Sequence, residues 1–185
     1  MKKYFLALLL LFFTFSLSKA QVPKNETFKT KEDYYEHQLQ VEKGLKNWFD
    51  YNPLEEDNTT LQLKLLLESY LMAWINGAPH INLIIDGKIE GEMLSDKKFE
   101  YSKELLLAMM FSKVTYLLEN KEAESTDFEA SLAGVKGMIL TYEKIKSQTK
   151  SKKKYRTDSM EEYIKWQEGG KLVEKLERKL NKQID

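Results

Sequence analysis

The sequence predicts an all-α, single-domain bundle of about five helices, and three observations carry that expectation. Apolar residues recur at three- and four-residue spacings through four long stretches. Strong helix stops such as Asn52-Pro53 and Asn76-Gly77 with Pro79 separate those stretches. There is no cysteine, so packing alone, without a disulfide framework, must offset chain entropy.

Residues 1–20 read as a secretory signal peptide. Lys2 and Lys3 make a positive n-region, Leu6 to Leu17 an apolar h-region, and Ser18 and Ala20 the small residues at −3 and −1 to a cut before Gln21. The competing reading is an uncleaved anchor, but the apolar run is several residues short of the roughly 20 that a spanning helix needs. Without cysteine a bacterial-type lipid anchor is excluded. The mature product is therefore expected to be exported, periplasmic or secreted, with no stable membrane anchor after cleavage. Residues 21–30, polar and broken by Pro23, read as a flexible leader, and 31–185 as one helical domain.

Thr30 and Asp33 resemble a capping box with Asp in place of Glu, predicting a helix from Lys31 to about Asp50. Its apolar stripe runs through Tyr34, Tyr35, Leu39, Val41, Leu45, Trp48 and Phe49. Asn58, Thr59 and Thr60 offer the cap of a second helix to about Asn76, so apolar round its girth that burial is expected on all sides. Gly77 is expected to close it as a left-handed cap. From Ile81 to Met93, alternation around Asp86-Gly87 signals a small β-hairpin; a short helix from Pro79 to Gly87 is the alternative. Ser102 to Asn120 and Ser125 to Lys146 make the third and fourth helices. Ala130, Ala133, Gly134 and Gly137 leave room on the fourth for another helix to approach. Residues 147–157 form a basic linker, and Asp158 or Ser159 caps a final helix to about Gln183 that bends at Gly169-Gly170. Its segment 171–184 is expected to dock less firmly than 102–120, unless it fills the seam beside Gly134 and Gly137.

Over the whole chain 29 basic residues balance 29 acidic ones; Lys2, Lys3 and Lys19 leave with the signal, so 26 against 29 remain, a net of −3. No global charge points to nucleic acid. Arg156 and Arg178 are the only arginines, which argues against arginine-based recognition of phosphate. The run from Lys144 to Arg156 is the one clear segregation of charge, and Lys152, Lys153, Lys154 and Arg156 are the candidate polyanion contacts; aromatics for base stacking are absent there apart from Tyr155.

Without cysteine, thiol catalysis and zinc-thiolate sites are ruled out. His37 and His80 fall in no metal-ligand spacing, and His80 reads as a solvated or helix-end residue. Haem ligation by methionine and histidine is conceivable, but Met109-Met110 sits in a leucine-rich helix where filling the core is the commoner role. A calcium loop from Asp86 fails because Lys88 and Lys97 stand where oxygen ligands are needed. Gly169-Gly170-Lys171 lacks the remainder of a phosphate loop. Glu68 is the most suggestive carboxylate, placed between Leu67 and Tyr70, although a surface or salt-bridged carboxylate on the one polar edge of that helix is the plainer reading. No cofactor is implied. The expected function is that of an exported helical module binding a protein or small-molecule partner. The alternatives are an enzyme using dispersed acidic and tyrosine residues, and a helical scaffold or chaperone component. A pocket would separate them: a concave site with a carboxylate of raised pKa favours the enzyme, a shallow apolar groove between helices the module.

Overall fold

The computed structural model describes residues 28–87, 89, 99–149 and 155–181; the expected signal peptide, most of the leader and Lys152–Lys154 lie outside them. Among the described residues there are six helices and no strand: α1 Lys31–Trp48, α2 Asn58–Gly77, α3 Ser102–Glu119, α4 Phe128–Gln148, α5 Asp158–Glu168 and α6 Leu172–Asn181. The all-α expectation holds.

The capping box forms as read. The Thr30 hydroxyl accepts the Asp33 N–H at 3.3 Å and the Asp33 carboxylate accepts the Thr30 N–H at 2.8 Å. Asp57, one residue earlier than expected, caps α2 by accepting the Thr60 N–H at 2.8 Å. Gly77 is not a left-handed cap: among the described residues only Gly170 has a glycine φ in that region. Gly77 ends α2 without a side chain because a Cβ there would stand 1.9 Å from the Tyr34 hydroxyl oxygen of α1. A second tie joins the same two helices, the Trp74 indole N–H donating to the Tyr34 carbonyl at 2.8 Å.

The most extensive contact is between α3 and α4. Phe111, Met109, Met138, Tyr142, Trp74 and Tyr163 are the large side chains enclosed at the centre. Gly137 of α4 lets α3 come close, opposite Ala108 and Ser112. The place beside Gly137 is thus taken by α3 and not by the C-terminal helix. Helix α4 starts at Phe128, later than the expected Ser125, because the preceding residues are spent on a turn. Asp127 accepts the Glu124 N–H at 2.9 Å, and the Ser125 hydroxyl accepts the Ile84 N–H at 2.8 Å.

That last bond bears on residues 81–93. Neither the hairpin nor the short helix is shown: 81–86 are irregular, 87 is a turn, and residues 88 and 90–93 lie outside the described residues. The polar groups of Ile84 are satisfied from the side instead of by a ladder, since its carbonyl accepts the Lys113 ammonium at 2.7 Å. Lys113 is fully enclosed within α3, which otherwise reads as apolar.

The single bent C-terminal helix is in fact two. Gly170 adopts φ 67°, and the Lys171 N–H closes the break on the Trp166 carbonyl at 2.7 Å. Helix α6 buries Leu172 and Leu176 and leaves Val173 outside. Nor is α2 buried on all sides, for Leu65 and Leu66 remain 39 % and 46 % exposed. No helix of the described residues is long and apolar enough to cross a membrane.

Candidate functional site

A cleft of about 600 Å³ opens at one end of the bundle. One wall is α2, where Leu61, Lys64, Leu65 and Glu68 fall at i, i+3, i+4 and i+7 and so share a face. The Pro53–Glu56 stretch of the α1–α2 connection, the start of α3 with Tyr101, Lys103 and Glu104, and the end of α4 with Gln148 and Thr149 complete it. Tyr101 stacks on Tyr155 at its edge, ring centroids 5.5 Å apart and planes 29° from parallel. Helix α3 begins here without a side-chain cap, so its first amides add positive potential to the cleft.

The chemistry centres on Glu68, only 6 % exposed. One carboxylate oxygen accepts the Trp48 indole N–H at 3.1 Å, and the other accepts the Lys103 ammonium at 2.9 Å. Lys64, one turn earlier on α2 and 4 % exposed, stands 3.7 Å from Glu68 and 5.9 Å from the centre of the Trp48 ring. Two ammonium groups thus share one carboxylate. Lys64 is the less committed, because its nitrogen has a loose ion pair and a ring face but no hydrogen bond to any described residue. No fully buried side-chain nitrogen or oxygen lacks a hydrogen-bond partner among the described residues. The Lys64 ammonium therefore keeps an open side, and Lys64 lines both this cleft and a much smaller hollow beside Trp48 and Thr141. Lys103 has a 60 % exposed side chain and stands at the mouth.

The plainer reading of Glu68 was right about the salt bridge and wrong about the place, since the pair is buried and belongs to the cleft wall. Each oxygen accepts one of these hydrogen bonds, so the carboxylate is fixed in place and faced by two ammonium groups. Sequence reading misses Lys64, Lys103 and Tyr101, and singles out Tyr155 only as the aromatic of the basic run. The available signal was Lys64 itself, an ammonium four residues before Glu68 on the same face of an otherwise apolar helix.

Arg156, the described member of the basic candidate set, faces Glu161 at 3.7 Å. Glu161 also accepts the Lys146 ammonium at 2.7 Å and the Tyr142 hydroxyl at 2.9 Å. Burial opposes ionisation of Glu161, but these two hydrogen bonds and the charges of Lys146 and Arg156 outweigh it and hold the carboxyl below its ordinary range. For the enclosed Tyr142 hydroxyl, burial comes first and the Glu161 carboxylate adds to it; both push its ionisation well up. The Thr157 N–H donates to the same hydroxyl at 3.2 Å. This cluster fastens the start of α5 to α4, with Arg156 at its edge, its side chain 48 % exposed.

A second hollow, about 370 Å³, lies between α1, α3 and α4 over Leu45, Phe49, Ala133 and Leu140 and is chiefly apolar. His80 lies flat on Tyr35, ring centroids 4.7 Å apart and planes 14° from parallel, and burial lowers its pKa. The His37 ring nitrogen is 3.1 Å from the Tyr70 hydroxyl. Among the described residues no group of three histidine, cysteine or acidic side chains could hold a metal ion. No protein-family model, no curated protein and no solved structure matches the chain.

Proposed function

We propose that the chain is an exported helical module that binds a small polar molecule in the cleft between α2, α3 and the end of α4. The observation that carries this reading is the Lys64 ammonium, nine-tenths buried, lining a cleft of about 600 Å³ and without a hydrogen-bond partner among the described residues. Desolvating an ammonium is costly unless its donors are used. One loose ion pair uses them incompletely, and a ligand acceptor would use them better. The volume lies within the range of small-molecule sites.

Native mass spectrometry of gently purified protein tests this reading. The expected result is a small-molecule adduct that disappears on denaturation; an empty monomer from its native source counts against it. Export rests on residues 1–20 and is tested separately by N-terminal sequencing. A mature start at Gln21 supports it, and an intact Met1 in the soluble cytoplasmic fraction refutes it.

A further inference from the structure

Resting on that reading of the cleft, the arrangement of charge says which class of molecule fits. The enclosed Lys64 shares the single carboxylate of Glu68 with Lys103, which reaches in from the mouth, and these three groups together leave one positive charge in excess. The uncapped start of α3 adds to it. Toward the rim the sign reverses, because Glu55, Glu56 and Glu104 line the same cleft and none of the three enters an ion pair among the described residues. Simple anions meet the rim carboxylates, and simple cations meet the two lysines. A dipolar molecule satisfies both, with its anionic end on Lys64 and its cationic end at the rim.

Leu61 and Leu65 add apolar wall to the cleft. The cleft is also larger than a single amino acid needs. We infer that it takes a short peptide with free termini, its carboxylate on the Lys64 ammonium and its amino group toward Glu56 and Glu104. The carboxylate end should dominate affinity, since a charge-assisted hydrogen bond counts for more where water is excluded than at an exposed rim.

The test is isothermal titration of the protein, expressed from its full-length coding sequence, with trialanine, trialanine amide, N-acetyl-trialanine and maltose. Trialanine is expected to bind, the amide about tenfold more weakly or worse, and the N-acetyl form to lose less. Lys64→Met should match the loss seen with the amide. Because that variant changes a buried group, Lys103→Ala serves as the second; its side chain is 60 % exposed, so the fold should stand while affinity falls several-fold. Equal binding of trialanine and its amide overturns the carboxylate assignment. Binding of maltose without trialanine overturns the peptide while the small-molecule reading survives. If no probe binds and the protein from its native source is also empty, both fall.

Discussion

Gly137→Ala is the most informative single change in the core, because two effects of known size oppose each other there. In a helix interior alanine is better than glycine by about 1 kcal/mol. Against this, a Cβ on Gly137 would lie 2.0 Å from the Ser112 hydroxyl oxygen, 2.7 Å from the Ala108 carbonyl oxygen and 2.8 Å from the Ser112 Cβ. A hydroxyl can turn away, whereas a backbone carbonyl moves only with its helix. Relief therefore requires α3 and α4 to separate across the most extensive contact in the bundle, and overpacking of that kind costs about 1–3 kcal/mol. The expected net effect after the propensity gain runs from about zero to a loss of about 2 kcal/mol, and in every case about 1–3 kcal/mol below the same change at a helix-interior glycine whose Cβ meets no backbone.

Gly44→Ala supplies the control. It too lies inside a helix, but the nearest atoms to its Cβ would be the Leu71 Cδ2 at 3.1 Å and the Leu67 Cδ1 at 3.2 Å, the ends of side chains that can yield. Its expected effect runs from nothing to a gain of about 1 kcal/mol. Urea unfolding followed by far-ultraviolet circular dichroism reads both. If Gly137→Ala proves as stable as Gly44→Ala, the close approach of α3 and α4 is not what stabilises that interface.

Three further outcomes are expected. Glu68→Ala leaves the enclosed Lys64 ammonium without its counter-charge and should cost about 3–5 kcal/mol, whereas Lys103→Ala should cost under about 1 kcal/mol; equal costs by urea titration would contradict the buried pair. Because the folded-state pKa of Glu161 is depressed, its contribution is present above the ordinary carboxylate value of 4.5 and is lost as pH falls through that value toward the folded one. Glu161→Gln should accordingly show a shallower fall in Tm than the parent below about pH 4.5, and superimposable profiles would remove Glu161 from the acid transition. Hydrogen exchange of α6 amides should run ahead of those of α3, since α6 is ten residues long and follows a glycine break. Equal protection would make α6 ordinary core.

The helices were legible because their signals are local. Thr30 with Asp33 marks a cap wherever the helix goes, and the spacing of Leu105, Phe111 and Val114 marks a stripe. What was not legible depends on partners distant in sequence. Gly77 looks like a cap residue until the Tyr34 hydroxyl, 43 positions earlier, is found against it. Alternation at Ile81, Leu83 and Ile85 reads as a strand, but the Ile84 backbone bonds Lys113 and Ser125. Two adjacent glycines suggested a bend, and a positive φ at one of them makes a full break. At the cleft, Glu68 could be singled out by its apolar neighbours in the chain. Lys64 drew no notice, because a lysine in a helix is ordinarily a solvated one.

The indole of Trp48 places a chromophore against this arrangement. Its N–H is held by Glu68, and the Lys64 charge stands over its ring. An excited indole redistributes electron density, and its emission wavelength follows the field in which that happens. Trp74 donates to a backbone carbonyl and Trp166 lies beside Tyr163, so neither shares that field. A ligand drawing the ammonium away from the ring would tune the colour of one tryptophan in three, making the protein an unlabelled optical gauge of what enters its own cleft.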